Sequence, residues 1–194
     1  MMKWKKTILY IVLQKYMDSD GLKRLAYHEI AHAGHYRQVG GRDYWDQLVQ
    51  AEVLAGGHGN ENSTDAGRIA LCESWAHHIG MSYAHRRYGA DNSLDGTYDK
   101  WLEETWNETQ NHIPVGLYHD LSDNLNSTIS ACNMDFSGCV LIDDQVSGFT
   151  NQQMFSCLTS DVVSPIGFIN RLIANHLAST TNTEVQVMDL FNQY

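Results

Sequence analysis

Over its 194 residues the chain has no apolar run approaching the roughly 20 residues of a membrane-spanning helix, so no transmembrane segment is expected. It is short of positive charge, with 13 Lys and Arg against 23 Asp and Glu. A net charge of -10 argues against a phosphate backbone as ligand, so no nucleic-acid partner is expected. The four cysteines, Cys72, Cys132, Cys139 and Cys157, lack any C-x-x-C spacing, which argues against a thiolate zinc site. Cys132 and Cys139 flank a glycine-containing loop and could pair in an oxidising compartment; four free thiols fit the count equally well. Three Asn-x-Ser/Thr sites, at Asn62, Asn107 and Asn126, are what so Asn-, Ser- and Thr-rich a chain yields by chance, and they leave the compartment open. Internal repeats, low-complexity runs and linkers are also missing.

Met1 to Lys6 followed by Thr7–Leu13 imitates a signal peptide. The apolar run is short, however, and Gln14 to Met17 offers no small-residue cleavage site. The segment therefore reads as a strand or helix packed under the helix that follows. With 43% hydrophobic and 19% charged residues, the chain is a globular domain with an ample core.

The pattern along the chain is mainly helical. Asp20 can cap a helix from residue 21 or 22 that stops at Gly40-Gly41. A second helix is predicted over Asp43 to Ala55, with Tyr44, Leu48, Val49 and Val53 as its apolar side. Gly56 to Asn62 is a loop by composition. A long third helix over Asp65 to Tyr88 has Ile69, Cys72, Ala76, Ile79 and Tyr83 at spacings of three and four, marking a buried face. A shorter amphipathic helix is expected over Tyr98 to Glu108.

From residue 111 the signals are mixed and then helical. Ile113 to His119 could be extended, and Cys139 to Ile142 is the best strand candidate. Helices then open at the capping box Thr150 to Gln153, at Ser164-Pro165, and at the capping box Thr181 to Glu184. The fold class expected is α+β, mainly helical, as one domain over 1–194.

Tyr27 to Tyr36 contains His28-Glu29-Ile30-Ala31-His32. Histidines four apart share a helix face, and a glutamate next to the first can reach a water held by the metal they bind. This is the H-E-x-x-H arrangement, with zinc on the histidines and glutamate as general base. A catalytic zinc needs a third protein ligand and an open position. The H-x-x-G-x-x-H extension fails, because Gln38 fills the histidine slot and His35 the glycine slot. Glu73 lies 41 residues after His32, well inside the long third helix, where a carboxylate is costly unless paired or metal-bound. The helix-surface alternative would pair it with Arg68 or His77. His35 shares the face of His28 and His32, and three roles are open to it: fourth ligand, transition-state donor or packed histidine.

His28, Glu29 and His32, with Glu73 and Ala76 in an E-x-x-A context, resemble the gluzincin branch of the zincin-like metallopeptidases. More loosely, Tyr27 to Tyr88 looks like uncharacterised zincin-like proteins of Bacteroidota, often exported, which implies a cell-envelope location. The resemblance implies two facing metal-binding helices, Zn²⁺ on His28, His32 and Glu73, and Glu29 as general base. It also implies a peptide or protein substrate and a further Tyr, His or Arg stabilising the oxyanion. Tyr118 and His119 lead for that role, ahead of His112, Tyr83 and His35. His77 stands where E-x-x-x-D families keep an aspartate. Zincins carry several strands ahead of the metal helix, whereas about twenty residues precede it here, so part of the amino-terminal sheet is expected to be missing. The alternative is a catalytically silent zincin-like binding or structural module.

Overall fold

Two long antiparallel helices, α1 (Ser19–Gln38) and α3 (Ala66–Tyr88), form the axis of the computed structural model, which describes residues 19–88, 112–123, 142–143 and 145–194. Their mutual contact is more extensive than that of any other pair of elements. Around them lie α2 (Arg42–Ala55), the turn α4 (Leu117–Asp120), α5 (Asn151–Ser156), α6 (Pro165–His176) with a 3₁₀ turn at Leu177–Ser179, and α7 (Glu184–Phe191). The protein is mainly helical, and the described residues contain no strand.

The antiparallel register is read from side-chain pairs along the axis. Arg24 Nη1 meets Met81 Sδ at 3.5 Å, and the Tyr27 and Tyr83 rings lie 5.9 Å apart. His28 lies against Gly80, and His32 reaches Glu73. Gly80 permits this approach. A Cβ there would stand 3.0 Å from the Arg24 carbonyl oxygen and 3.3 Å from His28 Cβ. The first of these is backbone and cannot swing aside. Gly80→Val is therefore expected to destabilise the protein by about 1–3 kcal/mol through overpacking. It should also move His28 away from Glu73. Denaturant unfolding checks the first effect, and unchanged stability would contradict the register.

Helix α3 is buried almost all round from Arg68 to Met81, rather than along the one face its periodicity marks. Of that expected face, Ile69, Cys72, Ala76 and Ile79 are buried, whereas Tyr83 is exposed. The reason is placement: α1, α2, α4 and α6 each contact α3. Trp75 stacks on Phe155 and meets the Tyr118 ring edge-on at 5.3 Å, and Tyr118 lies 4.9 Å from Phe168. A smaller cluster of Val39, Tyr44, Leu48, Ala51, Ile69 and Cys72 joins α2 to α3. Val49 and Val53, expected on the apolar side of α2, are exposed. Val53 lies nine residues from Tyr44, about half a turn round the helix from the buried stripe.

Helix ends follow the sequence with small shifts. Asp20 stands inside α1 rather than at its cap. Thr150 and Gln153 form the expected capping box, and Ser164 caps α6 with Pro165 in its first turn. The last box is Thr183 with Gln186, two residues later than expected. Asn182 is held outside the helix because its amide pairs with the Ser147 backbone in both directions, at 2.8 and 3.2 Å. The segment Ile113 to His119 is not extended throughout. The Gly116 carbonyl accepts from the His119 and Asp120 N–H groups at 2.8 and 3.2 Å and closes a helical turn. Thr7–Leu13, the expected helix at 98–108, Cys132, residues 139–141 of the strand candidate, and the sites at Asn107 and Asn126 lie outside the described residues. Cys72 and Cys157 are free, buried thiols. No described helix is long and apolar enough to cross a membrane.

Candidate metal centre

Across the α1–α3 seam, His28 Nε2 and His32 Nε2 face one another at 3.0 Å. Glu73 Oε2 lies 3.4 Å from the first and Oε1 lies 3.3 Å from the second. Ligands at about 2.0–2.2 Å around one tetrahedral ion stand about 3.3–3.6 Å apart; both Glu73 separations fit such an edge, and the two histidine nitrogens stand a few tenths of an ångström closer. The donor chemistry fits too. Two imidazole nitrogens that point at each other and at one carboxylate can form a hydrogen bond only if one is protonated and the other not. A cation would satisfy all three lone pairs at once.

The fold explains the convergence. The i,i+4 spacing puts both histidines over the seam, and Glu73 projects from α3, which Gly80 has brought close. Trp45 of α2 sits edge-on to His32, with ring centres 5.5 Å apart, and shields one side of it. Glu73 is buried. Burial opposes its ionisation, but hydrogen bonding from His28 and His32 outweighs that and holds the carboxyl well below the usual range. At His32 burial opposes the charge, while Glu73, Glu29 and Glu52 together raise its pKa. Glu29 is exposed on α1 and acts on both His32 and Glu52, so its carboxylate flanks the cluster from the solvent side.

His35 does not join the group of donors around His28 and His32. It is fully buried one turn further on, with ring centres 5.5 Å from Tyr44 and 5.8 Å from Trp45. Burial, with His32 adding to it, lowers its pKa to about 3, and its ring packs against these two aromatics. His77 lies beside His28 and Arg24 and is held at about 4, by burial first. Together with Leu25, Gly80 and Met81 these residues line a recess of about 220 Å³ next to His28.

Tyr118 and His119 are placed elsewhere. Tyr118 is 1% exposed, in the aromatic core on another side of α3, bonded to Ser74. Among the described residues no hydrogen bond, ion pair or ring contact joins it to His28, His32 or Glu73. His119 lies 3.3 Å from Asp123 and beside His85, which is twelve residues and roughly 18 Å of helix rise beyond Glu73. His112 and Tyr83 likewise lack any such link to the three donors.

Two residues that the sequence did not single out do reach the site. His58 Nε2 lies 3.5 Å from Glu73 Oε2, and a Glu52 carboxylate oxygen lies within 4.8 Å of the ligand atoms of both. The signal available was a histidine set among glycines, Gly56-Gly57-His58-Gly59, in the loop that links the second helix to the third.

No protein-family model, curated protein or solved structure matches this chain. What the centre can do therefore rests on its own geometry.

The buried imidazoles set a pH dependence. Burial lowers His35 to about 3 and His78 and His119 to about 4, each from an ordinary 6.5. A group depressed in the folded state contributes stability that is present above its unfolded pKa and lost as pH falls toward the folded value. At pH 5 the unfolded chain takes up these protons and the folded chain does not, costing roughly 2 kcal/mol per histidine. His32 is raised and works in the opposite sense, but it is one group against these three and His77, which burial lowers as well. The metal-free protein should melt at a clearly lower Tm at pH 5 than at pH 7. A flat profile over that interval would contradict the buried neutral histidines.

Proposed function

We propose that the protein is a zinc-dependent metallopeptidase of the gluzincin type, with His28, His32 and Glu73 as ligands and Glu29 as general base. The observation that carries this reading is the meeting of three donors from two helices at 3.0–3.4 Å, with a free carboxylate one residue from the first donor. Zinc held there would polarise a peptide carbonyl and acidify the attacking water.

The chain's own residues supply the rest. With zinc bound, His28 and His32 would present Nε2 lone pairs, and Glu73 would supply the one negative charge among the three donors. Glu29, solvent-accessible beside them, takes the proton from the attacking water and delivers it to the leaving amine. Trp45 holds the His32 ring edge-on and limits its rotation. The recess beside His28, formed partly by Leu25 and Met81, suits an apolar side chain next to the scissile bond.

A second reading, a metal-binding module without turnover, draws on the burial of Tyr118, which leaves the oxyanion without the donor expected for it. A broad peptide-library digest of the zinc-loaded and chelator-stripped protein separates the two. Cleavage that is lost on stripping and restored by zinc supports the peptidase; stoichiometric zinc with no cleavage of any peptide supports the module.

A further inference from the structure

Glu73 belongs to two donor groups. One is the His28–His32–Glu73 centre; the other is Glu52, His58 and Glu73, whose ligand atoms also lie within 4.8 Å of one another. The two groups meet at Glu73 Oε2, 3.4 Å from His28 Nε2 and 3.5 Å from His58 Nε2, while Oε1 turns to His32. We propose that Glu52, His58 and Glu73 form a second cation site, so that the protein holds two divalent transition-metal ions bridged by the Glu73 carboxylate.

Local structure brings the second set together. Glu52 lies in the last turn of α2, which ends at Gly56 with φ 74°, and the Gly57 N–H donates to the Glu52 carbonyl at 2.9 Å. This left-handed turn reverses the chain and returns His58 toward Glu52 and the seam. Glu52 is half-buried, and its carboxylate oxygen lies within 4.8 Å of a Glu73 carboxylate oxygen. The two carboxylates thus repel one another with no cation between them.

Charge carries the inference further. Glu29, Glu52 and Glu73 act on one another or on the same histidines, and among the described residues no Lys or Arg pairs with any of them. One divalent ion leaves this group at a formal -1, and a second brings it to +1. Sequestered carboxylates need a partner or a metal, and paired ions sharing a bridge are an established arrangement in hydrolytic sites. One nitrogen and two carboxylate donors suit zinc, cobalt or manganese. The His58 side chain is more than half exposed, which leaves coordination positions open to water or substrate on that side.

The proposal rests on the first centre being a metal site, and the test keeps the two apart. The full chain is stripped with chelator and titrated with Co²⁺, followed by calorimetry and visible absorption, and bound cobalt is counted after gel filtration. Two ions per chain are expected in the wild type, falling to one in both His58→Ala and Glu52→Gln, with the absorption of the first ion retained. His58 lies in an exposed loop, so its truncation does not threaten folding. A wild type that saturates at one ion overturns the second site and leaves the first standing. Two ions in the wild type and in both variants also overturn it, since the second ion is then held elsewhere. No bound ion at all overturns both sites.

Discussion

Glu29→Gln is expected to lower peptide hydrolysis by about 10²–10⁴-fold while zinc content stays at the wild-type level. The amide keeps the size and polarity of the carboxylate but cannot accept the water proton at neutral pH. Metal retention follows from position, because Glu29 is exposed on α1 and is not among the donors that converge on the seam. Activity and zinc content are measured on the same preparation. Wild-type turnover in the variant would rule out Glu29 as the base, and lost zinc would make it a ligand instead.

Glu73→Ala should act on the other half of the centre. It removes the one carboxylate that faces both His28 and His32, leaving only the two imidazoles at the seam. Zinc affinity should drop by more than the 10–100-fold typical of changes outside the ligand set, and hydrolysis should vanish with it. Without metal the variant should also lose some stability at neutral pH, because a carboxyl held below its usual range by His28 and His32 contributes stability there. Competition with a chromophoric chelator reads the affinity, and melts of stripped protein read the stability. Unchanged affinity would place the third ligand elsewhere.

What could be read from the sequence, and what could not, divides along physical lines. His28, His32 and Glu73 were legible because helical periodicity fixes which residues share a face, and because a glutamate inside an apolar helix needs a reason. The ends of α2 and the caps at Thr150 and Ser164 were legible from local chemistry alone. The contribution of His58 was not, since its position depends on one left-handed turn after α2 and leaves no periodic trace. Tyr118 and His119 looked cleft-lining because a Pro-Gly segment precedes them. The Gly116 carbonyl instead coils them into a helical turn, and Tyr118 fills the core between Trp75 and Phe168. The near-complete burial of α3 was hidden for a related reason: periodicity reports one apolar face, while tertiary packing covers the others too.

The most direct test of the account is a crystal of the zinc-soaked protein measured on both sides of the zinc absorption edge. The account predicts an anomalous peak in the α1–α3 seam, about 2.0–2.2 Å from His28 Nε2, His32 Nε2 and a Glu73 carboxylate oxygen. An empty seam, or zinc bound only away from these three residues, would contradict it.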